Sequence, residues 1–517
     1  MFENELTLYK AVMNKKEDIF HTRYEDAIVK IGNELGKTYP LIINGRDINT
    51  GSVLPVISPI DNRIIVGYVF KARKEHVKDA ITSAKNSFKE WSKIDYKERV
   101  KIMRKAADIM SNNKYELAAL ISYENGKNRY EAVADVDEGI DFLRYYSNEM
   151  ESNEGYTMRT NQCYPDEESY SVMRPYGVFV VIAPFNFPIA ITTGMCTGAL
   201  ITGNTVVLKP SSNTPISAVK LINIFKEAGI IDGAINLIVG IGSEISDALL
   251  DNDVDGIVFT GSREVGFSIY KKANEIKPRP VITEMGGKNA CIVSKHANID
   301  KAINGVIKAA YGYSGQKCSA CSRLIIDKEI KDEFIKKLIS FAETLKIGNP
   351  IERDTFLGPI INRSAYERYK DSIEIIKNDG KVLFGGRVLD NMHGYYVEPA
   401  LVELDRTHKL LMEELFLPIL AVIEYKEFDE ALEIFNDTEY GLTGGIYSNN
   451  ESEVIRFFDE ANSGVLYANR ERSATTGAIV GAQPFVGWKY SGISGKGTGS
   501  KYYLPLFMRE QSRTISK

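Results

Sequence analysis

The sequence predicts an α/β protein built around two parallel sheets. Three observations predict it. The chain has 517 residues with 44% hydrophobic content, too many for one ordinary core. From Tyr176 onward, short apolar runs alternate with helical segments of about 10 to 15 residues. The same alternation restarts near Asn289, after a glycine turn.

In the first forty or so residues, Ala11, Met13, Ile19, Tyr24, Ala27, Ile28 and Ile31 recur at helical spacing, which predicts a helical lead-in. Pro40 to Arg46 reads as a strand ending in a turn at Asn44-Gly45. Apolar periodicity from about Lys74 to Asn112, and again from about Lys114 to Asn148, predicts two long helices. Strands are then expected at Val178 to Ile182, Thr205 to Leu208, Ile235 to Val239, Ile257 to Phe259 and Val281 to Thr283. The second series has strands at Ala290 to Val293 and Leu324 to Ile326. Its helices fall around Ile299 to Tyr313 and Lys331 to Leu345, and the alternation runs on to about Asn469. No charged residue lies between Arg174 and Lys209, a stretch long enough to suggest a membrane span. Pro184, Asn186 and Pro188 interrupt it, so a buried strand feeding a small-residue helix is the better reading.

Composition excludes several classes of function. Lys+Arg 64 against Asp+Glu 69, mixed along the chain with a net charge of −5, gives no basic face for nucleic acid or a membrane surface. The start, Met1 to Glu5, lacks the basic segment and apolar run of an export signal. Cys163, Cys196, Cys291, Cys318 and Cys321 are too sparse for a disulfide framework and fit a reducing compartment, so a cytoplasmic location is expected.

The chemistry concentrates at Glu284 and Cys318, each in a small-residue turn: Glu284-Met285-Gly286-Gly287-Lys288-Asn289 and Gly315-Gln316-Lys317-Cys318-Ser319. A thiolate that bonds to a carbonyl carbon and a carboxylate that activates water are what covalent oxidation of an aldehyde requires. Alone, Cys318 would more often be an ordinary buried cysteine. Cys321 adds the alternative of a CxxC pair. Zinc is disfavoured because no other cysteine and none of the five histidines falls at ligand spacing, while a redox pair stays open. Glu284 ends the apolar strand Pro280 to Thr283, near where open α/β sheets bind ligands. A solvated loop carboxylate is about as common. Asn186, in the apolar turn Ala183 to Pro188, needs a hydrogen-bonding task, either structural or as donor to an oxyanion.

The Asn186 turn, Leu208-Lys209-Pro210-Ser211-Ser212, Phe259-Thr260-Gly261-Ser262, the Glu284 and Cys318 motifs and Glu413-Glu414-Leu415-Phe416-Leu417-Pro418 follow one another in order. Over roughly residues 40 to 510 this set resembles the aldehyde dehydrogenase family, and six ordered motifs are specific where each alone is weak. The resemblance implies two parallel-sheet Rossmann-like domains plus a β oligomerisation arm. It divides the chain into an N-terminal helical segment (1–40), a dinucleotide-binding domain (41–285) with an arm hairpin at about 154–173, a catalytic domain with the nucleophilic cysteine (286–470), and a substrate-anchor loop with a C-terminal oligomerisation strand (471–517). It implies Cys318 as nucleophile, Asn186 and the Cys318 N–H as oxyanion donors, and Glu284 as the base that hydrolyses a thioester. Lys209 would contact the adenosine ribose, Gly261 and Ser262 would line the pyrophosphate passage, and Glu414 with Phe416 would position the nicotinamide end. No GxGxxG fingerprint is present. Ser212 stands where many NAD-preferring members carry a glutamate, so NAD is expected with NADP left open.

Thr476 to Phe485, the Cys318 motif, and the segment Glu131-Ala132 through Asp141-Phe142 resemble the 1-pyrroline-5-carboxylate dehydrogenase branch, which oxidises L-glutamate γ-semialdehyde to glutamate. Gly477 and Ala478 can bring backbone N–H groups to a carboxylate, and the Ser319 hydroxyl adds a donor. Glu138 is a candidate partner for the α-ammonium, and Phe187 and Phe485 are candidate walls for the aliphatic middle. Leu417 replaces a usual glycine and Val486 interrupts a Phe-Gly-Gly run, departures expected to reshape the nicotinamide and substrate pockets respectively. The segment Gly492 to Gly497 is unusual as well. A homodimer or larger homo-oligomer is implied, with a C-terminal strand from about Tyr502 to Ile515 joining the arm across the dimer, and a proline dehydrogenase is a candidate partner. The alternatives are an aldehyde dehydrogenase for another acid semialdehyde, such as succinate semialdehyde, and a cofactor-binding protein without catalysis.

Overall fold

The structure, a computed structural model, describes residues 17–251, 253–471 and 479–517. Two seven-stranded sheets organise it. In the first, the parallel strands run in the order Val281–Glu284, Gly256–Thr260, Val178–Ile182, Thr205–Lys209 and Ile235–Leu237, and the hairpin Leu41–Ile43/Arg46–Ile48 closes one edge antiparallel. The chain winds outward from Val178–Ile182 in both directions, which leaves a crevice beyond the strand ends at the reversal point.

The second sheet runs Gly380–Gly385, Ala400–Leu404, Ile419–Tyr425, Cys321–Asp327, Asn289–Val293, Thr443–Tyr447 and Val465–Ala468, parallel except at its first strand. Its side chains alternate between two cores. Ile292 and Ile325 pack on one face, while Cys291, Val293, Leu324 and Ile326 pack on the other. Helices cover both faces, so these strands are apolar throughout.

The two long helices expected from periodicity are four: Lys74–Trp91, Tyr96–Asn112, Lys114–Asn125 and Arg129–Ser152. The breaks lie where caps interrupt a continuing apolar stripe. Asp95 accepts from Lys97 N–H at 2.8 Å, Gly126 ends a helix with φ 76°, and Asn128 accepts from Glu131 N–H at 3.0 Å. The C-terminal strand completes the arm. Met508–Ser516 pairs antiparallel with Glu167–Pro175 of its own chain, and Thr157–Arg159 completes this three-stranded arm. The strand's register, Met508 opposite Pro175 through Ser516 opposite Glu167, binds it to its own arm along its whole length.

Glu124 shows how the helical layer is tied to the first sheet. The helix Pro215–Ala228 begins at a Thr214 that makes no side-chain cap bond. The carboxylate of Glu124, from the end of the helix Lys114–Asn125, supplies the cap instead, accepting from Ile216 N–H at 2.7 Å and Ser217 N–H at 2.9 Å. Burial nevertheless raises the Glu124 pKa to about 7. Glu124→Ala strands two buried N–H groups at about 1–3 kcal/mol each. Thermal denaturation should show a lower Tm, and an unchanged Tm would contradict the cap.

Candidate active site

The short link 285–288 carries the chain from the C-terminal end of one sheet's strand, Val281–Glu284, to the start of the other sheet's strand, Asn289–Val293. The leading edge of the second sheet therefore faces the trailing edge of the first. Asn186, Lys209, Thr260 and Glu284 end or follow strands of the first sheet, and Cys318 precedes the strand Cys321–Asp327 of the second. This is why residues far apart in sequence meet.

Glu284 is fixed by its backbone. Its carbonyl accepts from Gly261 N–H at 3.2 Å, and the following Met285 N–H donates to Ser491 at 2.8 Å. The side chain is 8% exposed, and its Oε2 is buried with no hydrogen-bond partner among the described residues. Burial pushes its pKa well above the ordinary 4.5, against a smaller opposing contribution from the Gly487 N–H.

Cys318 lies on a strained loop. Tyr313, Ser314 and Gly315 take left-handed φ values of 49°, 52° and 69° in succession. A Cβ on Gly315 would fall 2.4 Å from the Leu417 carbonyl oxygen, so only glycine fits there. Non-glycine residues in this region cost roughly 1–3 kcal/mol each and persist only when surroundings dictate them. Here Tyr313 Oη donates to Asn125 O at 3.0 Å, Ser314 Oγ donates to Gly358 O at 2.7 Å, and Gln316 Oε1 accepts from Ile361 N–H at 2.8 Å. From the other side, Asn289 Nδ2 donates to the carbonyls of Cys318 at 2.7 Å and Ala320 at 2.9 Å. Burial, then the nearby Glu414 and Glu284, push the Cys318 thiol pKa up, so the free thiol stays protonated.

Glu284 and Cys318 line one cavity, together with Glu138, Phe187, Ser319 and Phe485 of the expected set. Of the remaining walls, Phe142 and Thr260 lie in motifs already singled out in the sequence, while Ile191, Met195, Thr498 and Tyr503 were not marked there as site residues. Phe187 lies over the Lys127 ammonium, 3.6 Å from it to the ring centroid. Lys127 in turn pairs with the fully buried Asp135 at 2.8 Å, and Asp135 Oδ1 accepts from Ala190 N–H at 2.7 Å at the head of the helix Ala190–Ile201. Asn186 is buried on the loop after Val178–Ile182 but does not itself line the cavity. Gly477 and Ala478 lie outside the described residues.

The departures noted in sequence fall apart in space. Leu417 is buried in one core of the second sheet, with its carbonyl oxygen against Gly315. Val486 packs in a small cluster beside Cys318 and Phe485. The Gly492 segment bridges to Glu284.

A second group of residues borders the strand ends. Lys209 ends its strand, largely buried with no acidic side chain in ion-pair range among the described residues. Burial lowers its pKa to about 8, and its Nζ donates to Pro210 O at 3.1 Å. Ser212, two residues on, is exposed. Gly261 and Ser262 precede the helix Arg263–Ile276, whose first turn receives no side-chain cap from Ser262. Glu414 Oε1 accepts from Gly287 N–H at 3.0 Å, and a Cβ on Gly286 would fall 2.0 Å from Glu414 Oε2. Burial raises the Glu414 pKa to about 7. Phe416, at φ 59°, meets the Phe185 ring edge-on at 5.8 Å. A cation without a carboxylate, a helix head without a cap and a glycine-lined carboxylate fit a phosphate-bearing, ribose-bearing dinucleotide. No cluster of metal-ligating side chains occurs among the described residues.

The family model described as aldehyde dehydrogenase family matches residues 47–512. The chain is 42% identical over 487 residues to the 1-pyrroline-5-carboxylate dehydrogenase of Oceanobacillus iheyensis, covering 93% of each chain. It is similar to the Thermus 1-pyrroline-5-carboxylate dehydrogenase solved with bound NAD, at 38% identity and a TM-score of 0.92 over 96% of each chain. It is also similar to proline utilization A from Bdellovibrio bacteriovorus, at 35% identity and a TM-score of 0.92, over 96% of this chain and 52% of that one.

The burial of Glu284 makes a signed prediction. Because its folded pKa is raised, the folded protein holds a proton that the unfolded chain has released. Stability from this group is complete below the ordinary 4.5 and is lost as pH rises through the raised folded value. Glu284→Gln removes this loss. The Tm of the variant relative to wild type should climb as pH rises above the ordinary 4.5 and level off once the buried carboxyl ionises. A Tm difference independent of pH would contradict the raised pKa.

Proposed function

The chain belongs to the aldehyde dehydrogenase family, and from that premise we propose that it oxidises L-glutamate γ-semialdehyde, the open form of 1-pyrroline-5-carboxylate, to L-glutamate with NAD. The observation that carries the reading is the convergence of the Cys318 thiol and the unpartnered Glu284 carboxylate in one apolar-walled cavity. It is the second step of proline breakdown.

Lys209, Gly261, Ser262, Glu414 and Phe416 would hold the cofactor along the strand ends, with Ser212 beside the adenosine ribose. Bound NAD supplies the acceptor for the substrate's hydride. The exposed Ser212 presents neither a carboxylate to repel a 2′-phosphate nor a cation to attract one, so NADP is a weaker second cofactor.

The free thiol is held protonated, so attack requires a base; Glu284, whose buried carboxyl also keeps its proton in the resting protein, serves once it has ionised, and its unpartnered Oε2 lies in the same cavity. Cys318 Sγ then bonds to the aldehyde carbon. The oxyanion that forms is held by the Asn186 amide and the Cys318 N–H. After oxidation the carbon is a thioester on Sγ. Glu284 passes the thiol's proton to solvent and then takes one from water, the hydroxide adds to the thioester carbon, and the C–S bond breaks to release the acid and the Cys318 thiolate, which regains a proton. Asn289 acts by position, because its two bonds to the Cys318 loop aim the nucleophile.

At the far end, Ser319, Gly477 and Ala478 would hold the substrate's α-carboxylate and Glu138 its α-ammonium, with Phe187 and Phe485 flanking the methylenes. Outside the site, Met158 and Ile515 expose apolar surface on the arm, which supports a homodimer or larger homo-oligomer. The five unpaired cysteines support a reducing, cytoplasmic setting. The match to part of the longer Bdellovibrio chain supports a proline-oxidising enzyme as the partner that supplies the substrate.

Cys318→Ala should lower turnover by about 10⁴-fold or more while NAD binding, read by tryptophan fluorescence or calorimetry, is retained. Full activity in that variant would refute the nucleophile. Steady-state assays should show kcat/KM for glutamate γ-semialdehyde at least about a hundredfold above that for succinate semialdehyde. Indifference to the α-amino-acid head would refute the substrate.

A further inference from the structure

Several walls of the cavity lead back to one side chain that does not line it. Tyr146, in the helix Arg129–Ser152, is fully buried. Its ring stacks on Tyr503, with centroids 5.5 Å apart and planes 17° apart, and meets the Phe142 ring at 5.5 Å. Its hydroxyl pairs with Thr498 Oγ1 at 3.1 Å and accepts from Gly499 N–H at 3.0 Å. Phe142, Thr498 and Tyr503 all line the cavity. The constraint then passes along the backbone. Thr498 and Phe485 exchange N–H···O bonds of 3.0 and 2.9 Å, and Gly499 O accepts from Gly481 N–H at 3.0 Å.

We propose that Tyr146 is a specificity-positioning residue, whose hydroxyl fixes the Thr498–Gly499 segment and through it the Phe485 wall against which the substrate's far end is measured. The proposal rests on the amino-acid semialdehyde reading given above. Gly499 has φ 72° and no side chain to pack, so its place depends on what its backbone groups bond to. Its buried N–H ends on the Tyr146 hydroxyl, which also turns Thr498 toward the cavity. The hydrogen bonds of this relay end at the Phe485 backbone and none of them reaches Cys318 or Glu284 among the described residues, although the Phe485 side chain packs beside Cys318. A change at Tyr146 should therefore alter how the head of a long substrate is held and leave bond-making alone.

Tyr146→Phe keeps the ring, its stacking and its volume and removes the hydroxyl alone. The full-length enzyme is assayed with glutamate γ-semialdehyde and with propanal, which has no head group, at saturating NAD. Backbone hydrogen exchange is followed in the cofactor-free protein. The expected result is a KM for the semialdehyde raised about tenfold with kcat within about twofold, an unchanged kcat/KM for propanal, and faster exchange at Phe485 and Gly499. Equal losses on both aldehydes, a loss confined to kcat, or an unchanged KM would overturn the proposal. If wild-type enzyme itself does not prefer the semialdehyde, the substrate reading falls. Exchange then decides Tyr146 separately: unchanged protection overturns its positioning role and faster exchange sustains it.

Discussion

The structure depends on one constraint: a carboxylate and a thiol must share a nearly dry seam without the seam collapsing. Glu284 is buried and Cys318 partly so, burial holds a proton on each, and burial is what a carboxylate resists most. The fold meets this with backbone. Gly261, Gly487, Ser491 and Gly492 surround Glu284 with main-chain contacts, while Asn289 grips the Cys318 loop through its carbonyls. Backbone groups are fixed partial charges that need no rearrangement during reaction, so the seam is shaped before substrate arrives.

A second tier of buried charge supports the first. Lys127 and Asp135 lie behind Phe187, and Lys317, next to the nucleophile, pairs with Glu131 at 2.7 Å. Ion pairs this deep add little net stability, because removing both charges from water costs about as much as their attraction returns. What they supply is direction. The Lys317 pair joins the helix Arg129–Ser152 to the Cys318 loop, and Asp135 joins it through the Ala190 N–H to the segment bearing Phe187 and Ile191, so that helix acts as a frame for both sides of the cavity.

Much of this was legible in the sequence because it was local. The strand from Val178 to Ile182, the glycines after Glu284 and the Cys318 turn each announce themselves within a few residues. The breaks at Asp95 and Gly126 were hidden because the apolar stripe continues through them, and periodicity outweighs a single cap in such a reading. Asn289 was visible only as part of a motif, since its partners lie 29 and 31 residues away. Tyr146, Thr498 and Tyr503 gave no signal at all. An aromatic residue at helical spacing announces burial, not what its hydroxyl meets 352 residues further along.

The arm carries a consequence for how the molecule is made. Thr157–Arg159 and Glu167–Pro175 are joined directly by residues 160–166, but the strand Met508–Ser516 reaches its partner from far along the chain, with Ser171 and Glu510 bonded across 339 residues. A hairpin can close within microseconds of emerging from the ribosome, yet this sheet stays one strand short until the residues between have been synthesised and folded. During that interval the Glu167–Pro175 edge is open to any other extended segment. The late strand therefore covers the arm's open edge only after the residues between the two have been made.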